Sequence, residues 1–527
     1  MNTMNEALPA AQAARTAAYP QAPAATGESS QVRRSRAGIA AIAVAAFAME
    51  MAVSARYGYV RDELYFLAAG KHLAFGYVDQ PAMTPLIARA ESVTFGNTVI
   101  GLRVVPALGL AALVVITAAI ARLLGAGRTG QLLSAVSAAT CGEFVGAMHE
   151  LTTTVPDLVF WALLELIVVR LVVSRDPRWW LAAGACAGIA ADAKWNIAFL
   201  AASLAAGFAL SADRRLLASR YLLIGLAVAA ALAVPDIAWQ AAHHWPNLAV
   251  FRVLQSQAWH NRATYWPAQV LFTGIALTPV WIAGLAWALR RRAFRPVALG
   301  CAIAITLQFI LGGKPYYSGG AYVFLLAAGC TAIEVRLAAG RQARAGRPAR
   351  RHGLTAGLVT SLMLVSCAAT LPAALPLLPA SALRTVPLQK INYDLAESIG
   401  WPRQVALIAR VYHGLPPRLR RRTTILAGNY GEAGALDRYG AGDGLPAEFS
   451  GANSFWLWGP PPARDTAAVA INVDPALLRR EFTTVRRVTT FWNGLGVSDD
   501  EQGAAIYLAT GLKETWRRAW PAFRDYS

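Results

Sequence analysis

The stretch GLRVVPALGLAALVVITAAIARLLGAGR, residues 101–128, sets the class of the molecule. Residues 102–121 are predominantly apolar over the ~20 positions that a helix needs to cross the hydrocarbon core of a bilayer. They run directly into a short loop bounded by Arg122 and Arg128. Basic residues collect on the cytoplasmic flanks of spanning helices, so this one segment predicts both a span and its orientation.

Working outward, similar stretches recur at roughly 37–54, 131–148, 155–173, 179–192, 195–211, 221–239, 267–289, 296–311, 317–335 and 354–379, about eleven in all. The composition agrees: 56% of the 527 residues are hydrophobic, 15% are charged, and the mean hydropathy is +0.39. A soluble chain of ordinary charge content is excluded. The net charge of +19 could suggest nucleic acid, but its placement points elsewhere. Arg and Lys mark alternate loops, at Arg122–Arg128, Arg170–Arg178, Arg214–Arg220, Arg290–Arg295 and Arg336–Arg351. This positive-inside pattern predicts N-in, C-out with an odd number of spans. Residues 1–36 read as a disordered cytoplasmic tail, rich in Ala, Gln, Pro and Ser. The five cysteines all fall in apolar stretches, so no disulfide framework is expected.

Two regions outside the lipid are long enough to fold. The loop at 55–98 carries helix-like runs at Asp62–Leu73 and Thr84–Phe95 with Tyr57, Tyr59, Tyr65, Phe75 and Tyr77 interleaved, and predicts two short helices lying on the outer membrane surface. Residues 380–527 read as an extracytoplasmic α/β domain. Strands are expected at Thr423–Ala427, Ala467–Val473 and Ala504–Ala509, with helices at Glu432–Tyr439 and Pro475–Glu481. Between the first strand and helix lies Gly428-Asn429-Tyr430-Gly431, a turn that could hold phosphate on a helix N-terminus. Its spacing matches neither nucleotide-binding fingerprint, so it reads as structural. No inverted repeat of the transporter kind is found.

The chemistry-bearing residues collect in the outer loops. Arg61-Asp62-Glu63 and Asp79-Gln80-Pro81 place three carboxylates beside interface aromatics, a setting that can raise a carboxyl pKa into the range of a general base. Asp157 opens the fourth span, where it also suits the positive end of the helix dipole. His149 and Glu150 end the preceding helix, so with Asp62 and Asp79 they form a candidate divalent-metal set of hard or borderline ligands. The chain has only five lysines, and two of them, Lys194 and Lys314, stand at outer helix junctions. An ammonium at a helix N-terminus is opposed by the dipole unless an anion joins it. Lys314, with Tyr317 nearby, and Lys194 are therefore candidate phosphate ligands. The outer loop 240–266 adds His243, His244, Arg252, His260 and Arg262, of which Arg252 and Arg262 are further phosphate candidates.

The run Tyr57-Gly58-Tyr59-Val60-Arg61-Asp62-Glu63-Leu64-Tyr65, continuing to Gly76-Tyr77-Val78-Asp79-Gln80-Pro81, resembles the first periplasmic loop of bacterial family 39 glycosyltransferases. These are relatives of the protein O-mannosyltransferases and the lipid A aminoarabinose transferase. Asp157, Lys314-Pro315-Tyr316-Tyr317, Asn429 to Ala435 and Ser454-Phe455-Trp456-Leu457-Trp458 look like further landmarks, and the resemblance spans about 37–460. It implies an α-helical polytopic GT-C fold with juxtamembrane helices in the first outer loop and a soluble domain on the same side, in residues 37–379 and 380–527. It also implies inverting transfer of a hexose or pentose from a polyprenyl-phosphate-linked donor to an envelope glycan, lipid or protein, at the periplasmic face of a bacterial inner membrane. The loop-one acid, here Asp62, is the position implicated in catalysis or metal binding, with Glu63 and Asp157 as further catalytic candidates. Gln80 stands where the aminoarabinose branch often has lysine, which departs from lipid A specificity.

The donor class also follows from location. An outer site has no cytosolic nucleotide sugar, so an activated sugar must arrive on a lipid, and a phosphate leaving group needs charge stabilisation more than protonation. The competing reading is a transporter or flippase of a lipid-linked saccharide. It would need ionisable groups inside the spans, for which Glu50, Glu143 and Glu165 are the candidates.

Overall fold

The structure is a computed structural model and describes residues 30–342 and 350–526. Each apolar stretch forms helix: α1 (Ser30–Val53), α4 (Val104–Leu123), α5 (Arg128–Thr140) with α6 (Gly142–Ala147), α7 (Thr154–Ser174), α8 (Trp179–Ala191), α9 (Ile197–Ala209), α10 (Arg220–Ala242), α12 (Ala258–Thr273) with α13 (Thr278–Arg290), α14 (Arg295–Leu311), α15 (Ala321–Gln342) and α16 (Arg350–Ala374). Between them lie the loop-one helices α2 (Arg61–Ala69) and α3 (Met83–Thr94), and α11 (Asn247–Ser256). Among the described residues, five helices are long and apolar enough to cross a membrane unaided, and the pair α12–α13, bent by 100°, would make a sixth. Most of the expected tail lies outside the described residues, and α1 begins at Ser30, ahead of the expected start at 37.

Apolar side chains give no hydrophobic drive between helices in lipid, so close packing falls to small residues. Three pairs cross at facing glycines. A Cβ on Gly184 would stand 2.1 Å from the Gly225 carbonyl oxygen, one on Gly207 2.7 Å from Gly300 N, and one on Gly284 2.6 Å from Gly329 N. Of the interior acids that a transporter would use, Glu143 has a buried Oε1 with no hydrogen-bond partner among the described residues, whereas the other two are engaged. Glu50 meets His149 at 3.1 Å, and Glu165 accepts from Phe324 N at 2.9 Å.

The C-terminal region is α/β, as its sequence predicts, around one mixed sheet. β1 (Thr423–Ala427), β2 (Glu448–Ser450), β3 (Ala467–Ile471), β4 (Phe482–Thr490) and β5 (Ala505–Leu512) lie in the order β2-β1-β3-β5-β4. The three expected strands are there, as is the helix Pro475–Glu481. Two edge strands were not anticipated: β2 is only three residues long, and β4 carries Arg486 and Arg487 inside its β-branched run. Such charge is what an exposed edge favours.

Loop one packs one face against the C-terminal region. All residues of α2 from Glu63 to Ala69 are buried. Tyr59, Tyr65, Leu64, Phe66 and Ala88 share one core with Trp401, Ile408, Ile425, Ala433 and Phe455 of the C-terminal domain. The contact depends on α17 (Tyr430–Tyr439), capped by the Asn429 side chain on Glu432 N at 2.8 Å. Its Gly434 sits so near α2 that a Cβ would be 2.7 Å from the Leu64 carbonyl carbon. The expected interfacial tyrosines are therefore the mortar between two domains.

Candidate active site

The helix junctions, loop one and the C-terminal domain meet at one end of the bundle. Asn196 organises the junctions: its Nδ2 donates to Asp157 Oδ2 and to the Tyr317 carbonyl, both at 2.9 Å, and its Oδ1 accepts from Gln308 Nε2 at 2.8 Å. This draws the starts of α7 and α9 to the 3-10 turn Pro315–Ser318. Lys194 lies in the space so formed, its Nζ 4.5 Å from the Tyr317 ring centroid, 5.3 Å from that of Tyr316 and 3.5 Å from Thr154 Oγ1. Burial pulls the Lys194 ammonium down to about 8, partly offset by Asp157, with Lys314, Asp62 and Glu143 also within electrostatic range. Lys314 Nζ lies 5.9 Å from the Tyr316 ring, and among the described residues no carboxylate pairs with it. Two cations thus stand within electrostatic range of each other, and among the described residues no carboxylate is paired with the second.

The loop-one carboxylates stand nearby, with Asp62 in electrostatic range of Lys194. Asp62 and Glu63 are consecutive on the first turn of α2 and so point about 100° apart. Glu63 turns inward and is fully saturated. Its Oε1 accepts from Arg103 Nε at 2.9 Å and Leu151 N at 3.1 Å, and its Oε2 from Arg103 Nη2 at 2.8 Å and Val60 N at 2.9 Å. This geometry corrects the reading of Glu63 as catalytic: it is a buried fastener. Asp62 turns to the pocket, where Tyr430 of the C-terminal domain donates to its Oδ1 at 2.9 Å. Asp79 joins it from a tight turn closed by Tyr77 N on the Gln80 carbonyl at 2.9 Å, and Tyr65 donates to Asp79 Oδ1 at 2.7 Å. Burial raises the Asp79 carboxyl to about 7, with the nearby Asp62 charge adding to the rise.

The expected metal set is not assembled. Arg103 can only donate, so His149 Nε2 accepts from it at 3.1 Å, and Nδ1 donates to Glu50 at 3.1 Å. Both ring nitrogens are spent, and burial beside Arg103 holds the ring well below the usual histidine range. Glu150 pairs instead with Asp394, an acid from the linker to the C-terminal domain, and burial raises both. Asp62 and Asp79 are each engaged by a tyrosine. Among the described residues no three His, Cys, Asp or Glu side chains converge as metal ligands. The four named groups therefore do not fit a shared divalent ion.

Two of the expected phosphate ligands are elsewhere. Arg262 donates to the Ile310 carbonyl at 2.8 and 3.2 Å and so caps the end of α14. Arg252 lines a separate cavity in which neither lysine takes part. Sequence reading passed over Arg103, Asn196, Tyr65 and Asp394. Arg103 had a signal, since an arginine inside a predicted span is costly without a partner. Asn196 and Tyr65 had none, being ordinary residues made special by what folds against them.

This architecture, a helical bundle with a small α/β region packed on its first long loop, is a GT-C fold. The particular likeness is to ArnT from Cupriavidus metallidurans. The crystal structure in the apo state matches with a TM-score of 0.55 at 15% identity, and the one bound to undecaprenyl phosphate with 0.52 at 16%; each match covers 89% of this chain and 97% of that chain. By sequence, residues 79–239 match the family model described as dolichyl-phosphate-mannose-protein mannosyltransferase. No curated protein matches the chain.

Proposed function

We propose that this protein is a polyprenyl-phosphate-sugar-dependent glycosyltransferase of the bacterial inner membrane, working at the periplasmic face with inversion. The observation that carries this reading is the electrostatic proximity of Lys194 to both Lys314 and Asp62, with Asp62 in turn beside Asp79. A lipid phosphate enters at headgroup depth and rests between the two ammonium groups and the Tyr316 and Tyr317 rings. Lys314, without a carboxylate of its own, is available to it. The acceptor hydroxyl oxygen attacks the anomeric carbon as the bond from that carbon to the phosphate oxygen breaks. Its proton passes to Asp62, and the polyprenyl phosphate departs with its charge held by the lysines. A single in-line displacement of this kind inverts the configuration. The undecaprenyl phosphate in the ArnT structure supports a polyprenyl carrier here as well.

The test is binding of undecaprenyl phosphate to the purified full chain in nanodiscs. Lys314→Ala should weaken it by roughly tenfold or more, the scale of a lost charge-assisted contact, with the fold unchanged. Equal affinity in the variant would exclude Lys314 as a ligand of the donor phosphate. Comparison of envelope glycans by mass spectrometry between parent and deletion strains would then identify sugar and acceptor.

A further inference from the structure

A second cavity of about 580 Å³ lies between α10–α11 and the C-terminal domain, lined by His244, Trp245, Arg252, Trp456, Arg524 and Tyr526 among others, with no carboxylate among its described lining residues. Its size falls within the ~300–1,000 Å³ of small-molecule sites. Arg524 is held over two rings, 5.3 Å from the Trp456 centroid and 5.6 Å from that of Tyr526. Arg252 on the facing helix is exposed and without a charged partner among the described residues.

The backbone at this cavity is strained. His244 and Trp245 are consecutive non-glycine residues in the left-handed region, at φ 62° and 56°. Bulky residues rarely stay there unless the surroundings hold them, and such strain gathers at ligand sites. Here the hold is visible: Trp245 N donates to the Gln240 carbonyl at 2.7 Å, and Gln240 Nε2 donates to the Tyr77 carbonyl at 2.8 Å. On the other wall Ser454 Oγ accepts from Val78 N at 3.1 Å, two residues before Trp456. Both walls are thus pinned to the residues just ahead of Asp79.

From these features we infer that the cavity is the acceptor subsite, and that it binds an anionic saccharide, one bearing phosphate or carboxylate. The aromatic faces take the apolar faces of a sugar ring, and the two guanidiniums take the anion in paired hydrogen bonds. The hydrogen bonds of Gln240 and Ser454 couple the cavity walls to the residues that precede Asp79. The role as acceptor rests on the glycosyltransferase reading; the binding itself does not.

The experiment is saturation-transfer NMR on the full chain in nanodiscs with glucose 1-phosphate, and with uncharged glucose for comparison. Glucose 1-phosphate should bind, glucose should bind at least about tenfold more weakly, and the double variant Arg252→Gln/Arg524→Gln should lose about tenfold or more. Trp456→Ala should reduce transfer to the sugar-ring protons of both. Lys314→Ala should leave glucose 1-phosphate binding unchanged, and this arm separates the two sites. Equal binding by the double variant, or loss of binding in Lys314→Ala, would overturn the assignment. Unchanged undecaprenyl-phosphate affinity in Lys314→Ala would instead count against the donor reading alone.

Discussion

The Tyr430 hydroxyl donates to Asp62 Oδ1 at 2.9 Å, joining residues 368 positions apart, the C-terminal α/β region to loop one. The same two elements are joined by Arg61, which reaches Asp500 at 3.1 Å and lies over the Tyr430 ring. The C-terminal domain is therefore part of the pocket and sets the orientation of its leading carboxylate.

Asp62→Asn keeps the shape of the side chain and removes the proposed base. Transfer should fall by at least the ~10²-fold typical of losing such a group, with membrane insertion intact. Tyr430→Phe should lower turnover less, since the carboxylate survives. Near-parental transfer by Asp62→Asn, with activity abolished in Asp79→Asn, would move the base to Asp79.

Glu63 and Arg103 should behave differently from their neighbours. Breaking a buried, hydrogen-bonded ion pair from one side leaves an uncompensated charge and costs about 3–5 kcal/mol. Glu63→Gln and Arg103→Ala should lower the thermal midpoint and open loop one to protease. Folded, stable Glu63→Gln with dead chemistry would contradict the fastener role.

The pH profile of kcat/KM reads the free enzyme. Asp79 is neutral below about 7 and charged above it, so a profile that depends on its carboxylate should climb through about 7. Lys194 is charged below about 8 and neutral above it, so phosphate capture should fall away through about 8. Asp79→Asn should flatten the rising limb alone. Lys194→Arg, always charged, should remove the falling one, and a falling limb that persisted in it would exclude Lys194 as its source.

Gly434→Ala tests the docking of the domain. The new Cβ would fall within 3 Å of Leu64 backbone, which has no rotamer to yield. Overpacking of this kind costs about 1–3 kcal/mol. We expect separation of the domain from loop one, seen as hydrogen exchange rising in α2 and α17 together, and a matching loss of transfer. Unaltered exchange in α2 would show that the interface tolerates the methyl.

Much of this molecule is written in local pattern. Each apolar run became helix because its length and composition decide that within the segment, and Thr423–Ala427, Ala467–Ile471 and Pro475–Glu481 could be read for the same reason. The gathering of Asp62, Asp157, Lys194 and Lys314 at one end of the bundle followed from alternation of the loops, a rule that needs no coordinates. The difference between Asp62 and Glu63 could not be read this way. Adjacent acids on one helical turn are equivalent in sequence, and only the arrival of Arg103 and Leu151 on one side and Tyr430 on the other made one a fastener and the other a pocket group. The same holds for His149, whose ligand-like context vanished once Arg103 and Glu50 occupied its two nitrogens, and for Arg252 and Arg262, which share a loop yet face different neighbours. Local sequence determines which segments are helix, strand or span because the forces that decide them act over a few residues. What each polar group does depends on partners brought from far along the chain, and those only the tertiary structure supplies.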